Sequence, residues 1–281
     1  MAGVEALPLF TAMFAALVIA PAAVRALGAG SLARENYRGR LLACPLGLVI
    51  VAAAVCALVP LAVAERAAGG VLRPELGWIA VYVLGVAFLG LADDALADRA
   101  RGLRGHAAAV RRGEFDTGAL KAAGSAGLAL YVMAAPANGP ARWLLGAAVL
   151  VLATNAFNLL DLRPGRAVKA FLALGLALTL IGGDLVPLWA VGVFVGPVLV
   201  VGLYDVRELG LLGDTGANAV GAVAGAWLVL TLSNVGLAVA LVVLAGLTAY
   251  GEFRSISAFI ERTPGLRHLD SWGRPSDDTA V

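Results

Sequence analysis

The chain has 281 residues, of which 60% are hydrophobic and 14% charged, against roughly 45–50% and about 25% in soluble domains. That balance excludes an ordinary soluble globule and a disordered chain, and a formal net charge of +2 makes no case for a nucleic-acid partner. Cys44 and Cys56 share one apolar run with no further ligands at metal spacing, so they read as buried, inert thiols rather than a disulfide or a zinc site.

A helix crosses a bilayer core with about 20 apolar residues, and roughly 17 is the floor. Nine stretches approach or meet this, which predicts an all-α polytopic transmembrane bundle of about nine spans. The first, 6–27, has no Lys or Arg ahead of it, and its first base, Arg25, follows the apolar run. It reads as a retained span rather than a signal peptide. A basic loop, 28–40, leads to spans 41–64 and 76–92, the second running into Asp93 and Asp94. An Arg-rich segment, 94–120, then precedes span 121–136, which opens at Lys121. Span 143–160 carries Asn155 and Asn158 and ends at Asp161, three residues apart and so on one side of a helix end. Arg163, Arg166 and Lys169 follow at once, around the start of span 166–182. Beyond span 184–204 come Asp205 and the turn Gly210-Leu-Leu-Gly-Asp-Thr-Gly216, where glycines flank Asp214 just before span 217–232. Span 234–250 closes the series. In the tail, Phe253, Ile256 and Ile260 fall at helical spacing, as in a segment lying along a membrane surface.

Lys and Arg divide 18 to 3 between the two alternating sets of loops. The positive-inside rule therefore puts the N-terminus outside and the C-terminus in the cytosol. The chain so read is a transmembrane domain, 1–252, with cytosolic loops 28–40, 94–120, 161–166 and 205–216, followed by a membrane-surface tail, 253–281. The same cytosolic face receives Asp93, Asp94, Asp161, Asp205 and Asp214. One Asp at a span end is ordinarily a solvated cap, and a buried amide ordinarily bonds to a neighbouring helix. The acids gathered beside bases suit instead a magnesium ion and a pyrophosphate. Asp214 also reads as a helix cap, and its glycines let a ligand approach the backbone.

Four segments in order carry a resemblance: Glu35-Asn-Tyr-Arg-Gly-Arg40, Leu89-Gly-Leu-Ala-Asp-Asp94, Thr154-Asn-Ala-Phe-Asn-Leu-Leu-Asp161 and Leu212-Gly-Asp-Thr-Gly216. They resemble the polyprenyl-phosphate N-acetylhexosamine-1-phosphate transferase family, which includes phospho-N-acetylmuramoyl-pentapeptide transferase. Gly102-Leu-Arg-Gly-His106 with Thr117-Gly-Ala-Leu-Lys121 looks like a shorter Gram-positive branch. The resemblance implies a plasma-membrane enzyme, its site facing the cytosol, that transfers a sugar-1-phosphate from a UDP-amino sugar to a polyprenyl phosphate and releases UMP. It implies Mg2+ as cofactor, with Asp214 as its ligand and Asn158 as a second. Asp93 would act on the acceptor phosphate with support from Asp94, and Asn155 and Asp161 would shape the donor pocket. Arg163, Arg166, Lys169 and Lys121 would bind substrate phosphates. A homodimer is left open. Three departures stand out: Ala97 where the family often has Lys, Pro164 where it commonly has a second acid, and a lone His268 in place of a histidine-rich loop. The last makes muramoyl-pentapeptide an unexpected donor.

Two other readings compete. An inactive relative that binds a polyprenyl lipid or a partner would explain Ala97 and Pro164, but not the retained acids. A secondary transporter would also show short, glycine-interrupted spans, yet it should carry mid-membrane charges on both halves of a repeat.

Overall fold

The computed structural model describes residues 4–96, 116–134 and 139–275. Ala97, Arg99, Arg101 and His106 lie outside the described residues. Eleven helices form among those described: α1 (Leu7–Gly28), α2 (Gly47–Ala68), α3 (Leu76–Leu96), α4 (Thr117–Met133), α5 (Pro140–Leu160), α6 (Arg166–Gly182), α7 (Val186–Val206), α8 (Gly213–Thr231), α9 (Asn234–Phe253), and the short α10 (Ile256–Arg262) and α11 (Pro264–Ser271). Their starts are written locally. Pro8 and Pro187 sit in the first turns of α1 and α7, where no amide hydrogen is needed. Asp116, Ser233 and Ser255 cap α4, α9 and α10 by accepting from Ala119, Gly236 and Ala258 amides.

Six of the helices, α1, α2, α3, α5, α7 and α9, are long and apolar enough to cross a membrane, so the chain is an almost entirely helical, multi-pass membrane bundle. The other three expected spans are helices too. α4 and α6 have 17 residues each. α8 has 19 and takes Asp214 and Asn218 along. Residues 215–229 of α8 are all buried; its surroundings are protein rather than lipid, and its polar groups find partners there.

Three details differ from the sequence reading. The all-α expectation omits a small antiparallel hairpin, β1 (Arg34–Glu35) with β2 (Leu41–Leu42), in register Arg34 opposite Leu42. α2 starts at 47 rather than 41, because the intervening backbone is spent on the α7–α8 loop: Leu46 and Gly47 amides donate to the Leu211 and Leu212 carbonyls at 2.8 and 3.0 Å. Cys44 is buried as expected, but Cys56 is exposed on α2, an apolar surface that lipid would cover.

α8 is the hub. It packs against α3 and α5 most extensively, and against α6, α2 and α7, while α1 lies along α7 and α2. Edge-to-face contacts of Phe157 with Phe171 (6.5 Å) and of Phe171 with Trp227 (6.0 Å) tie α5, α6 and α8 together. α9 leans on α5 and sends Val235, Val239, Val242 and Val243 outward. At one end of the bundle two glycines let backbones touch. A Cβ on Gly47 would strike Gly216, and one on Gly90 would strike the Asp214 carbonyl. α2 and α3 therefore reach the first turn of α8 directly, and Asp93 and Asp94 come beside Asp214.

Candidate functional site

A cleft of about 310 Å3 opens at this carboxylate end. Its walls are the hairpin (Arg34, Asn36, Tyr37), the α5 end and following turn (Asn158, Asp161, Arg163, Pro164), and the loop into α8 with Asp205 and Asp214. Asp94 forms its floor with Leu212 and Gly213.

The two adjacent acids of α3 do different things. Asp93 accepts from the Thr117 hydroxyl and from Lys121 Nζ at 2.9 Å. Asp94 is turned into α8 instead: its carboxylate accepts the Asp214 amide at 3.1 Å, the Thr215 amide at 2.8 Å and the Thr215 hydroxyl at 2.7 Å. It caps a helix 120 residues away, where the amide donors and the helix dipole favour a negative charge. Arg34 donates to the Asp94 carbonyl at 2.6 Å, which fastens the hairpin wall to α3.

Lys121 Nζ also donates to Asp214 Oδ2 at 2.5 Å. The Asn158 amide stands next to both. With its oxygen toward the ammonium it accepts from Lys121 at 3.1 Å and donates to Asp214 Oδ1 at 3.3 Å; in the other orientation it donates to Asn218 at 3.2 Å. Asp93, Asp214 and Asn158 thus turn oxygens toward one cationic position. Among the described residues no three His, Cys, Asp or Glu side chains gather to hold a metal. Two carboxylates and an amide, with room for water and phosphate oxygens, is nevertheless the donor chemistry magnesium uses.

Asn155, Asn158 and Asp161 do not act as one row. Asn158 and Asp161 line the cleft, whereas Asn155 points to α9 and donates to Thr248 at 3.3 Å. Asp161 follows the last residue of α5, and burial, followed by the carboxylates of Asp205, Asp214 and Asp94, pushes its carboxyl well above the usual range against the pull of Arg166. Burial also pushes the Cys44 thiol, in the same wall, up to about 12. It stays protonated and unreactive at neutral pH.

The bases after α5 divide as well. Arg163 lines the cleft, with its guanidinium 4.2 Å from the Tyr37 ring centre and 3.2 Å from Glu261. Arg166 and Lys169 are outside the cleft lining. Arg166 grips Asp270 with two bonds, at 2.8 and 3.1 Å, and reaches Ser257. Lys169 donates to the Leu269 and Asp270 carbonyls at 3.2 and 2.7 Å. Arg274 grips Asp270 again and donates to the Pro164 carbonyl. Burial works to raise the Asp270 carboxyl, but hydrogen bonds from Arg166 and Arg274 hold it below its ordinary value. Pro164 is thus a backbone anchor for the tail. His268 is exposed on α11.

Sequence reasoning missed two residues here, Glu208 and Arg34, and placed Asp205 at this face without giving it a role. Glu208 is fully buried with φ of 55°, accepts from Asn36 and Tyr37 and forms an ion pair with Arg38 at 3.4 Å, joining the hairpin to the α7–α8 loop. Asp205 accepts the Gly165 amide at 2.7 Å and sets the turn after α5. Arg34 braces the floor. The only hint was complementary charge, several arginines at 34–40 facing acids at 205–214. No protein-family model matches the chain, and no curated protein matches it.

Proposed function

We propose that the protein is a membrane phosphoglycosyltransferase of the polyprenyl-phosphate type, moving a sugar-1-phosphate from a UDP-amino sugar to a polyprenyl phosphate for cell-envelope glycan synthesis. The observation that carries this is the convergence of Asp93, Asp214 and Asn158 on one cationic position, beside a polar cleft that Asp214 and Asn158 line at one end of an apolar bundle. A lipid-borne acceptor and a soluble anionic donor can meet only at such a boundary. The resemblance of the four segments supports the same reading. It goes with nine spans, an external N-terminus and a site at the cytosolic face of the plasma membrane, as the 18-to-3 division of bases indicates.

In the reaction an oxygen of the lipid phosphate attacks the sugar-bearing phosphorus. A new P–O bond forms, the bond from that phosphorus to the bridging oxygen breaks, and UMP leaves with that oxygen. Magnesium, held by Asp214 and the Asn158 amide, would supply charge neutralisation between the two repelling phosphate groups. Asp93 faces the acceptor phosphate, with Thr117 and Lys121 holding its carboxylate in place. Asp94 keeps the first turn of α8 aimed at the cleft. Asp161, whose carboxyl is raised by burial and by the neighbouring acids, lines the cleft where the donor substrate would sit. Arg163, stacked on Tyr37, presents a planar cation to the pyrophosphate.

Purified protein, undecaprenyl phosphate, magnesium and a panel of UDP-sugars, followed by UMP release, test the proposal. UMP that appears only with lipid, metal and one class of UDP-amino sugar is the expected result. Silence across the panel from folded protein rejects catalysis and favours a protein that binds the lipid without transfer.

A further inference from the structure

The chain has two lysines, Lys121 and Lys169, and only Lys121 stands at the carboxylate cluster. Its ammonium lies 2.9 Å from Asp93 Oδ2 and 2.5 Å from Asp214 Oδ2, with the Asn158 oxygen able to come within 3.1 Å. These are the same three oxygens that would hold a hard cation. Asp93 and Asp214 together bring two negative charges, and one ammonium leaves the trio at a formal −1. A divalent ion on the same oxygens would leave zero. Magnesium would also need those oxygens at about 2.0–2.1 Å, closer than an ammonium allows. The ammonium and the metal cannot share the position, since two like charges in contact repel strongly in a partly buried setting.

We infer that Lys121 is a built-in placeholder: its ammonium holds Asp93 and Asp214 together in the metal-free protein, and an entering divalent cation takes its place and drives it out. The inference rests on the metal of the proposed function but not on the transfer step. A four-carbon stem permits the exchange without movement of α4, because Lys121 keeps its backbone position while its head swings away. The exchange explains how two acids of a membrane bundle stay close before metal binds. It also sets a cost on metal affinity that the charge of Lys121 imposes.

The test uses both lysines. Wild-type protein in detergent, without substrate, is treated with an amine-acetylating reagent with and without saturating Mn2+, which suits oxygen ligands as Mg2+ does. Peptide mass spectrometry reads each lysine. Acetylation of Lys121 is expected to rise at least about fivefold with Mn2+ while Lys169, tied to the tail carbonyls, is unchanged. Unchanged or reduced labelling of Lys121, or an equal rise at both lysines, overturns the inference. In a second measurement, electron paramagnetic resonance of free Mn2+ gives the affinity of wild type, Lys121→Met and Lys121→Arg. Lys121→Met is expected to bind about tenfold more tightly than wild type, and Lys121→Arg no more tightly. Equal or weaker binding by a folded Lys121→Met, or no Mn2+ binding by wild type, overturns it. Exchange without any UMP release rejects the transferase reading alone.

Discussion

Two charge clusters occupy the same end of the bundle with inverse ratios. In one, the acids Asp93 and Asp214 share the single base Lys121, with side chains 20%, 32% and 21% exposed. In the other, the bases Arg166 and Arg274 close on the single acid Asp270, with side chains 5%, 9% and 11% exposed. Each oxygen of Asp270 accepts from both arginines, so that cluster is saturated and dry. The acidic cluster is short of positive charge and meets the cleft at Asp214. A saturated network holds structure together; an unsaturated one beside a cavity is where a ligand supplies what is missing.

The comparison breaks most visibly at Asp214. Asp214→Asn keeps the shape but removes the charge, and UMP release should fall roughly 1,000-fold, the scale of losing one preorganised electrostatic contact. The variant should remain monodisperse in detergent. Near-normal magnesium-dependent turnover would remove Asp214 from the site.

Asp270→Asn should act on the other quantity. It leaves two buried guanidinium groups short of a counter-charge, which costs about 3 kcal/mol, read as a lowered melting temperature and faster proteolysis of the tail. Because the folded carboxyl sits below its ordinary pKa, its stabilisation is present above the usual carboxylate range. It is lost as pH falls through the depressed value. An unchanged melting temperature would mean that the clamp is idle.

Asp93 and Asp94 sharpen the contrast within one helix turn. Asp94→Asn weakens the cap on α8 and should lower stability by about 1 kcal/mol. Asp93→Asn should leave stability almost unchanged and lower turnover more than Asp94→Asn does. Paired melting and UMP-release measurements on both variants decide it, and a reversed order exchanges the roles.

The smallest effect is expected at Asp161. Its carboxyl is raised in the fold, so ionising it near neutral pH works against the folded state, whereas Asn carries no such penalty. Asp161→Asn should therefore melt slightly higher than wild type at pH 7–8. The gap should close as pH falls toward the ordinary carboxylate range, where both side chains are neutral. A gap that widens in acid would show that Asp161 is ionised in the fold.

Helix positions were legible in the chain to within a few residues, apart from the start of α2, which the hairpin and the backbone bonds of Leu46 and Gly47 to 211–212 displaced. The clustering of acids at one end was legible too, since each ends a span or opens a loop of the same parity. What the residues do there was not. Asp93 and Asp94 are neighbours in sequence, but about 100° of helix rotation separates their directions, and only the approach of α4 to the one and α8 to the other gave each its partner. Arg163 and Arg166 look alike as bases after a span. The fold gave one to the cleft and the other to Asp270, 104 residues on. Asn155 went to α9, and Glu208 drew in a hairpin 172 residues earlier.

By itself the sequence determined that this is a membrane bundle, where its helices lie and which end carries the carboxylates. Hydropathy and charge near span ends act locally and add along the chain, so they can be read in one dimension. Tertiary structure alone decided which carboxylate faces the cleft, which base is locked into the tail and which oxygens share the Lys121 ammonium. Ion pairing and hydrogen bonding depend on distances of about 3 Å between residues that only the packing of α8 against its neighbours brings together.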